Sequence, residues 1–218
     1  MLEKSSCCSL SYQACIIFVY SKFIMKSIVV FCGSSYGYNE IYADTAYQVG
    51  SLLAEKNIEL IYGGSKLGLM GAVAEGALQN GGRVTGIIPR FLRTKEIAHE
   101  NLTELVLVET MHERKLKMHE RSDGILALPG GWGTMEELFE MMTWAQLGLH
   151  SKPIGVLNIN GFYEPFMAFL NNMVTEGLLK EDCMKMLMMS SDIFEVLENM
   201  WKYEPPAETP KWMSTQKT

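Results

Sequence analysis

The chain contains 218 residues, of which 48% are hydrophobic and 20% are charged. This length suits one folded domain, and this composition excludes a chain that is disordered throughout. The formal net charge is -6 at pH 7. A general nucleic-acid binder is therefore not expected, because such proteins need a basic surface to displace counterions from phosphates.

The first 24 residues differ in character from the rest of the chain. Their apolar run at 14–20 is too short to span a bilayer, and no small-x-small cleavage site follows it. Met25 lies just before the first convincing strand. We therefore expect residues 1–24 to be an extension outside the fold, either poorly ordered or preceding the true translation start, with no membrane association.

From Ser27 onward, short apolar runs alternate with helical periodicity, which is the pattern of βαβ units. Strands are predicted at 27–32, 58–62, 83–88, 105–108, 124–128 and 154–158. Helices are predicted at 40–56, 69–79, 111–121, 135–147, 163–176 and 193–201. Because nearly every strand is continuously apolar, we expect a mostly parallel sheet with helices on both faces. A single α/β domain would span residues 25–203, followed by a flexible, proline-containing tail at 204–218.

The sulfur-containing residues and the histidines indicate neither a disulfide framework nor a metal site. The five cysteines are odd in number and form no CxxC pair, and reduced thiols suit the cytoplasmic location that we expect. Cys32 lies in an apolar run and is predicted to be core rather than a nucleophile. His112 and His119 form no HExxH motif and have no third ligand at suitable spacing. The methionine-rich stretch Met184–Met189 is interpreted as core or interface.

Glycine-rich turns follow three of the predicted strands, at 33–35, 63–65 and 130–134. The carboxyl ends of parallel strands meet at one edge, where open α/β sheets bind their ligands. Glycine lets the backbone approach a ligand closely, and the helix N-terminus that follows favours an anion. The alternative is that each glycine only supplies a positive φ angle. The occurrence of three such turns favours a shared phosphate-binding pocket.

Two common nucleotide-binding motifs do not account for these turns. A Walker A loop requires a lysine where this chain has Leu69. The dinucleotide fingerprint GxGxxG is also absent. Gly131 and Gly133 match its first two glycines, but Glu136 occupies the position of the third. The phosphate loop is thus of another kind.

Glu137 can be interpreted in two ways. Thr134 and Glu137 have the spacing of a T-x-x-E capping box, in which Glu137 would only stabilise a helix N-terminus. A carboxylate beside a phosphate-binding loop can instead stabilise positive charge on a sugar carbon and orient an attacking water. Spacing alone leaves both interpretations open.

Arg114 also has two interpretations. In the predicted helix 111–121, Arg114, Met118 and Arg121 fall on one face, which by itself describes a charged helix in solvent. The helix follows the end of a strand, however, so Arg114 could reach the pocket and grip phosphate or ribose oxygens.

At these residues the sequence closely resembles the LOG ("lonely guy") family, the cytokinin riboside 5′-monophosphate phosphoribohydrolases, whose bacterial relatives often carry a lysine decarboxylase label. The pattern PGGxGTxxE matches at 129–137, and an Arg-Lys pair matches at 114–115. CGSS at 32–35, GLMG at 68–71 and TWAQLG at 143–148 also agree. The likeness runs from about Met25 to Glu198, with Ser65-Lys66 where the plant pattern has glycine and serine.

The resemblance implies a Rossmann-like, doubly wound homodimer that cleaves the N-glycosidic bond of adenine-type nucleotides without a cofactor. Glu137 and Arg114 would be the catalytic residues. The residues that would bind the nucleoside 5′-monophosphate are Ser35, Gly64, Glu96, Lys115, Gly130, Gly131, Gly133, Thr134, Glu136 and Thr143.

Other functions and substrates remain open at this stage. Lysine decarboxylation normally needs pyridoxal phosphate on a Schiff-base lysine, and no lysine lies in a context that suggests one. A stronger rival is a carrier of a nucleotide or cofactor phosphate that keeps the pocket without catalysis. The choice between AMP and a prenylated cytokinin nucleotide depends on pocket shape, because hydrophobic pockets discriminate weakly between similar groups.

Overall fold

The computed structural model describes residues 25–93, 98–99 and 101–205. The predictions for residues 1–24, for Glu96 and for most of the tail therefore lie outside the described residues. The strands in the described part are β1 (Ser27–Phe31), β2 (Glu59–Tyr62), β3 (Val84–Pro89), β4 (Glu104–Val108), β5 (Gly124–Ala127), β6 (Ile154–Leu157) and β7 (Leu187–Ser190). All six predicted strands are present.

These strands form one sheet in the order β4-β3-β2-β1-β5-β6-β7, and every neighbouring pair is parallel. The chain moves outward from β1 to β4 and then crosses back to place β5 on the other side of β1. The winding direction therefore changes between β1 and β5. In doubly wound folds the ligand crevice lies at the carboxyl end of this switch point.

Helices cover both faces of the sheet. They are α1 (Ile41–Glu55), α2 (Gly68–Gln79), α3 (Met111–Glu120), α4 (Trp132–Gln146), α5 (Glu164–Thr175), α6 (Glu181–Met184) and α7 (Ile193–Lys202), with a 3-10 turn at Ile159–Gly161. Successive strand residues point to opposite faces. Accordingly, Ile28 and Val30 join the core beneath α1, α2 and α7, while Val29 and Phe31 join the core beneath α3 and α4. The predicted doubly wound α/β fold is confirmed.

The seventh strand was missed by the sequence analysis. β7 lies at the sheet edge within the methionine-rich stretch, where Met188 packs on one core and Met189 on the other. These half-buried methionines pack against the cores, which is consistent with the interpretation of the stretch as core or interface. A run of methionines lacks the β-branched residues and the polar alternation that identify a strand. Among the described residues, no helix is long and apolar enough to cross a membrane.

Candidate active site

The three glycine turns lie together at the carboxyl edge of the sheet, around the switch point. The backbone N–H of Gly33, just after β1, donates to the carbonyl of Pro129, just after β5, at 3.0 Å. On the other side, a side chain at Gly68 would lie 2.3 Å from the backbone nitrogen of Ser35, so α2 begins in close contact with the first turn. The first turn is therefore in direct backbone contact with the end of β5 and with the start of α2.

A positive φ angle explains few of the glycines in these turns. Gly64 has a φ of 78°, whereas Gly130, Gly131 and Gly133 are not among the positive-φ glycines. A Cβ at Gly130 would lie 2.1 Å from the Thr134 hydroxyl oxygen, so close packing requires glycine there. At Gly131 and Gly133 a Cβ would meet no atom within 4 Å. Protein packing does not require glycine at these two positions, which leaves open space beside the turn for a ligand.

Helix α4 presents free amides to this space. It begins at Trp132, its N-cap is Gly131, and no side chain caps it. The first turn also contains no acidic residue, so the positive end of the helix dipole is uncompensated. Thr134 and Glu137 lie inside the helix, and the capping-box interpretation of Glu137 is therefore wrong. This helix end is suited to bind an anion.

Glu137 is a buried carboxyl group facing a cation. The residue is 8% exposed, and one carboxyl oxygen lies 3.9 Å from Nη1 of Arg114. Burial raises the pKa of Glu137 to about 7, against the opposing charge of Arg114 and with a further increase from Glu136. The carboxyl group therefore changes its charge near neutral pH.

Arg114 reaches the site from the first turns of α3. The guanidinium donates from Nε to the Ile87 carbonyl at 3.1 Å and from Nη2 to the Gly63 carbonyl at 3.3 Å. A Cβ at Gly63 would lie 2.1 Å from Nη2, so only glycine leaves room for the guanidinium. Arg114 is buried, and the interpretation of a solvated charged face is wrong for it. It holds for Arg121, which is exposed and pairs with Glu104 at 2.7 Å.

Lys115 is also buried and is held by two carboxylates of α4. Its ammonium lies 2.5 Å from Glu136 and 3.1 Å from Glu140. Burial by itself lowers the pKa of Lys115, but the hydrogen bonds that its ammonium donates to Glu136 and Glu140, together with their charges, outweigh burial, and the net shift of the pKa is upward. Lys115 is thus a fixed cation that links α3 to α4.

The site combines an anion-binding turn, a carboxyl group that is ionisable near neutral pH and two buried cations. Such a set suits a reaction in which positive charge develops on a carbon next to a bound phosphate.

Comparison with known proteins places the chain in a family. A probable cytokinin riboside 5′-monophosphate phosphoribohydrolase of Oryza sativa subsp. japonica is 44% identical over 184 residues, covering 84% of this chain and 75% of the relative. A cytokinin riboside 5′-monophosphate phosphoribohydrolase of Arabidopsis thaliana is 42% identical over 180 residues, covering 83% and 84%. The chain belongs to the LOG family. The family model described as "possible lysine decarboxylase" matches residues 70–200.

Solved structures confirm the fold of this LOG family member. A molybdenum cofactor binding protein from Rippkaea orientalis aligns with a TM-score of 0.60 at 21% identity, covering 81% of this chain and 95% of that protein. A molybdenum cofactor carrier protein from Chlamydomonas reinhardtii aligns with a TM-score of 0.61 at 19% identity, covering 82% and 97%. At these identities the likeness concerns the fold alone.

The structure brings most of the predicted LOG site residues together, with one exception among those it describes. Ser35 is exposed on the first glycine turn, and Gly64 follows β2. Thr143 is exposed six residues after Glu137 on α4, and its hydroxyl donates to the Phe139 carbonyl at 2.7 Å. Six residues correspond to roughly 9 Å along a helix and to directions about 120° apart around its axis, so Thr143 and Glu137 do not share a face. Glu96 lies outside the described residues.

Cys32 is close to the site without being reactive. Burial, and secondly the charge of Glu137, raise the pKa of its thiol far above the ordinary range. The predicted core role is consistent with this, because a neutral thiol is a poor nucleophile. Within the described ranges, no three histidine, cysteine, aspartate or glutamate side chains cluster as metal ligands would.

Three contacts within the site were not identified from sequence. Gly63 and the Ile87 carbonyl accept hydrogen bonds from Arg114, and Glu140 is the second partner of Lys115. The i, i+4 spacing of Glu136 and Glu140 was an available signal for one cation binding both. The backbone carbonyls that bind Arg114 could not be predicted in this way, because a carbonyl at a strand end does not alter the pattern of side chains.

Proposed function

We propose that this protein hydrolyses the N-glycosidic bond of adenine-type nucleoside 5′-monophosphates, namely cytokinin riboside 5′-monophosphates, AMP or both. The products are the free base and ribose 5-phosphate. The observation that carries the proposal is the buried Glu137 carboxyl, 3.9 Å from the Arg114 guanidinium and beside an uncapped helix N-terminus. The names of the relatives that are 42–45% identical support the same activity.

The 5′-phosphate would bind at residues 130–134. Free amides of α4 and the open space at Gly131 and Gly133 accept an anion there without moving the backbone. Binding energy from this remote group would hold the sugar next to Glu137. We assign Ser35 and Gly64, on the neighbouring turns, to the same binding surface.

Glu137 acts in its ionised form. As the C1′–N bond breaks, its electron pair leaves with the base, and the carboxylate stabilises the positive charge that develops on the sugar. Water then forms the new C1′–O bond. One proton of that water is released through Glu137, and the departing base gains one proton, so the net change is addition of water across the bond.

Arg114 and Lys115 provide the positive field that this reaction needs. The Arg114 guanidinium is fixed by the carbonyls of Gly63 and Ile87, and its Nη1 lies 3.9 Å from a carboxyl oxygen of Glu137. Lys115 and Glu136 would bind substrate oxygens at the rim. Substrate contacts from Thr143 and Glu96 remain predictions; since Thr143 faces away from Glu137, its contact would involve a second copy of the chain.

Lysine decarboxylation is not supported by the charge state of the site. A Schiff-base lysine must lose its proton to act as a nucleophile. Lys115 is the lysine buried beside the site, and the carboxylates of Glu136 and Glu140 hold its pKa above the ordinary value. Lys115 is therefore kept protonated and is unsuited to that chemistry.

We also infer a homodimer in the cytoplasm. Large apolar side chains are exposed along the α4 and α5 side, including Trp132 at 94%, Phe169 at 53% and Leu178 at 83%. Exposed apolar groups of this size are typical of protein interfaces. Cys32 and Cys183 are free thiols, which suits a reducing compartment.

The experiment that tests the function is incubation with a panel of nucleoside 5′-monophosphates, with free base and ribose 5-phosphate both quantified. We expect equal amounts of the two products. The variant Glu137→Gln keeps the shape of the side chain but not its charge, so base release should fall by about a hundredfold or more while nucleotide binding persists. If the wild-type protein binds AMP and releases no base from any nucleotide, it is a carrier and the proposal is wrong.

A further inference from the structure

Tyr163 is a buried tyrosine that directly precedes α5. The residue is 1% exposed and belongs to the core beneath α3 and α4. Its hydroxyl donates to the carbonyl of Leu128 at 2.7 Å. Burial raises the pKa of Tyr163 above the ordinary range, so the hydroxyl keeps its proton and remains a donor.

The Leu128 carbonyl lies where β5 leads into the anion-binding turn. The ladder between β5 and β6 ends one residue earlier, at the pair Ala127 and Val156. The backbone N–H of Leu128 still donates to the Phe31 carbonyl in β1, at 2.9 Å. In the described part of the chain, the partner of the Leu128 carbonyl is the Tyr163 hydroxyl. Because a buried carbonyl without a donor is costly, this one bond fixes the end of β5.

Tyr163 is itself held from two directions. Its backbone N–H donates to Oδ1 of Asn158 at 2.7 Å, and the backbone N–H of Asn158 donates to the Ser190 carbonyl in β7 at 2.8 Å. On the other side, the Tyr163 ring contacts the ring of Phe166 at a centroid distance of 5.9 Å, and Phe166 contacts Phe139 of α4 at 5.6 Å. Tyr163 thus connects the strand before the anion-binding turn to the helix after it.

We propose that Tyr163 is a positioning residue that holds this turn in the shape that accepts the 5′-phosphate, an inference that rests on the proposed function. Residues 129–131 are all that separates Leu128 from the first helical residue of α4, so a shift of the Leu128 carbonyl moves the free amides of that helix. Without the hydroxyl, the carbonyl must find another donor, and the turn relaxes to allow it. A bound phosphate then has to draw the turn back, which weakens its binding.

The test compares Tyr163→Phe with the wild-type protein, because phenylalanine keeps the ring and removes only the hydroxyl. Ribose 5-phosphate binding, measured by calorimetry, should weaken by about tenfold, and KM for AMP should rise by a similar factor. At saturating AMP the bound phosphate restores the turn, so kcat should stay within about twofold of the wild-type value. Adenosine has no phosphate, and its kcat/KM should not change.

Two controls separate positioning from a general loss of stability. Tyr62→Phe removes another buried hydroxyl, at the end of β2, whose oxygen has no hydrogen-bond partner among the described residues. This variant should keep the wild-type affinity for ribose 5-phosphate. Asn158→Ala removes the acceptor that holds the Tyr163 backbone and should weaken ribose 5-phosphate binding by about threefold. Asn158→Asp keeps an acceptor oxygen and should retain the affinity.

Wild-type affinity for ribose 5-phosphate in Tyr163→Phe, or an equal loss of kcat/KM for adenosine and AMP, would overturn the proposal. An equal weakening by Tyr62→Phe would overturn it as well. Failure of the proposed function gives a different result, in which the wild-type protein binds ribose 5-phosphate but releases no base from any nucleotide. The ribose 5-phosphate affinities of the variants decide the role of Tyr163 in that case too.

Discussion

The carboxyl group of Glu137 is harder to ionise than an exposed one. Burial raises its pKa more than the charge of the neighbouring Arg114 lowers it. The carboxylate is the active form in the proposed reaction. At pH values below the pKa the group is neutral, and it gains its charge as the pH rises. Burial of Glu137 is what moves its pKa into the neutral range.

The first prediction concerns this titration. The kcat/KM for base release from AMP should rise with pH and level off above a midpoint near 7, the pKa of Glu137 in the free protein. The phosphate of the substrate itself titrates near pH 6. Ribose 5-phosphate affinity, measured over the same pH range, separates the two effects. A profile that is already flat at pH 5 would remove Glu137 from the role of the titrating group.

His119 and His150 pack between α3 and α4 near the C-terminal ends of these helices, and burial lowers the pKa of both histidines. His119 contacts the rings of Trp144 and His150, with centroid distances of 5.3 Å and 4.9 Å. Burial, together with Lys152 and His150, lowers the pKa of His119 to about 4 from 6.5. Protonation is therefore easier in the unfolded chain, and the stability contribution present above pH 6.5 is lost as the pH falls towards 4.

The second prediction follows from this contact between helices. His119→Phe keeps an aromatic ring and removes the titration, so the variant should lose less free energy of unfolding between pH 6.5 and 4. The expected difference is roughly 1 kcal/mol, since the site is partly open to solvent and its charges are screened. Urea unfolding at several pH values measures it. His112→Phe, at an exposed position on the same helix, serves as the control and should reproduce the wild-type pH dependence.

The third prediction concerns the turn between β5 and α4. A Cβ at Gly133 meets no protein atom within 4 Å, so Gly133→Ala should fold with unchanged or slightly higher stability. The added methyl group should nevertheless obstruct the phosphate. We expect weaker ribose 5-phosphate binding and a reduced preference for AMP over adenosine in kcat/KM. A variant with wild-type affinity and preference would show that the phosphate binds elsewhere.

The boundary of the whole domain leads to the fourth prediction. Met25 is 3% exposed, and its sulfur would lie 2.5 Å from a Cβ placed at Gly124, so Met25 is part of the core. The proposed catalytic and phosphate-binding residues all follow it. A chain that begins at Met25 should therefore fold and release adenine from AMP at the full-length rate.

The same assay tests for a metal requirement. The proposed reaction needs only a carboxylate, an arginine and water, so activity should survive EDTA in both the full-length and the shortened protein. Activity that disappears with EDTA and returns with a divalent ion would reveal a metal site. Loss of folding in the shortened protein would show that residues 1–24 pack on the domain or on a second copy.

Much of the architecture was predictable because it depends on local patterns. Six strands and six long helices follow from apolar runs and helical periodicity, which report burial directly. The edge strand β7 and the short α6 were missed, since methionine-rich and four-residue segments carry little periodic signal. The start of α4 at Trp132 was also missed, because glycine has a low helix propensity and occupies both the N-cap, Gly131, and the second helical position, Gly133.

The sequence by itself determined the α/β class, the glycine turns and the family pattern that singles out Glu137 and Arg114. Only the tertiary structure decided the burial, the contacts and the charge environment of those two residues. Whether Glu137 caps a helix or faces a buried guanidinium depends on where α4 begins and on how α3 crosses the sheet edge. The pKa of Glu137 depends on the exclusion of water by residues distant in sequence. That exclusion cannot be predicted from the spacing of residues along the chain, because desolvation arises only when separate elements pack together.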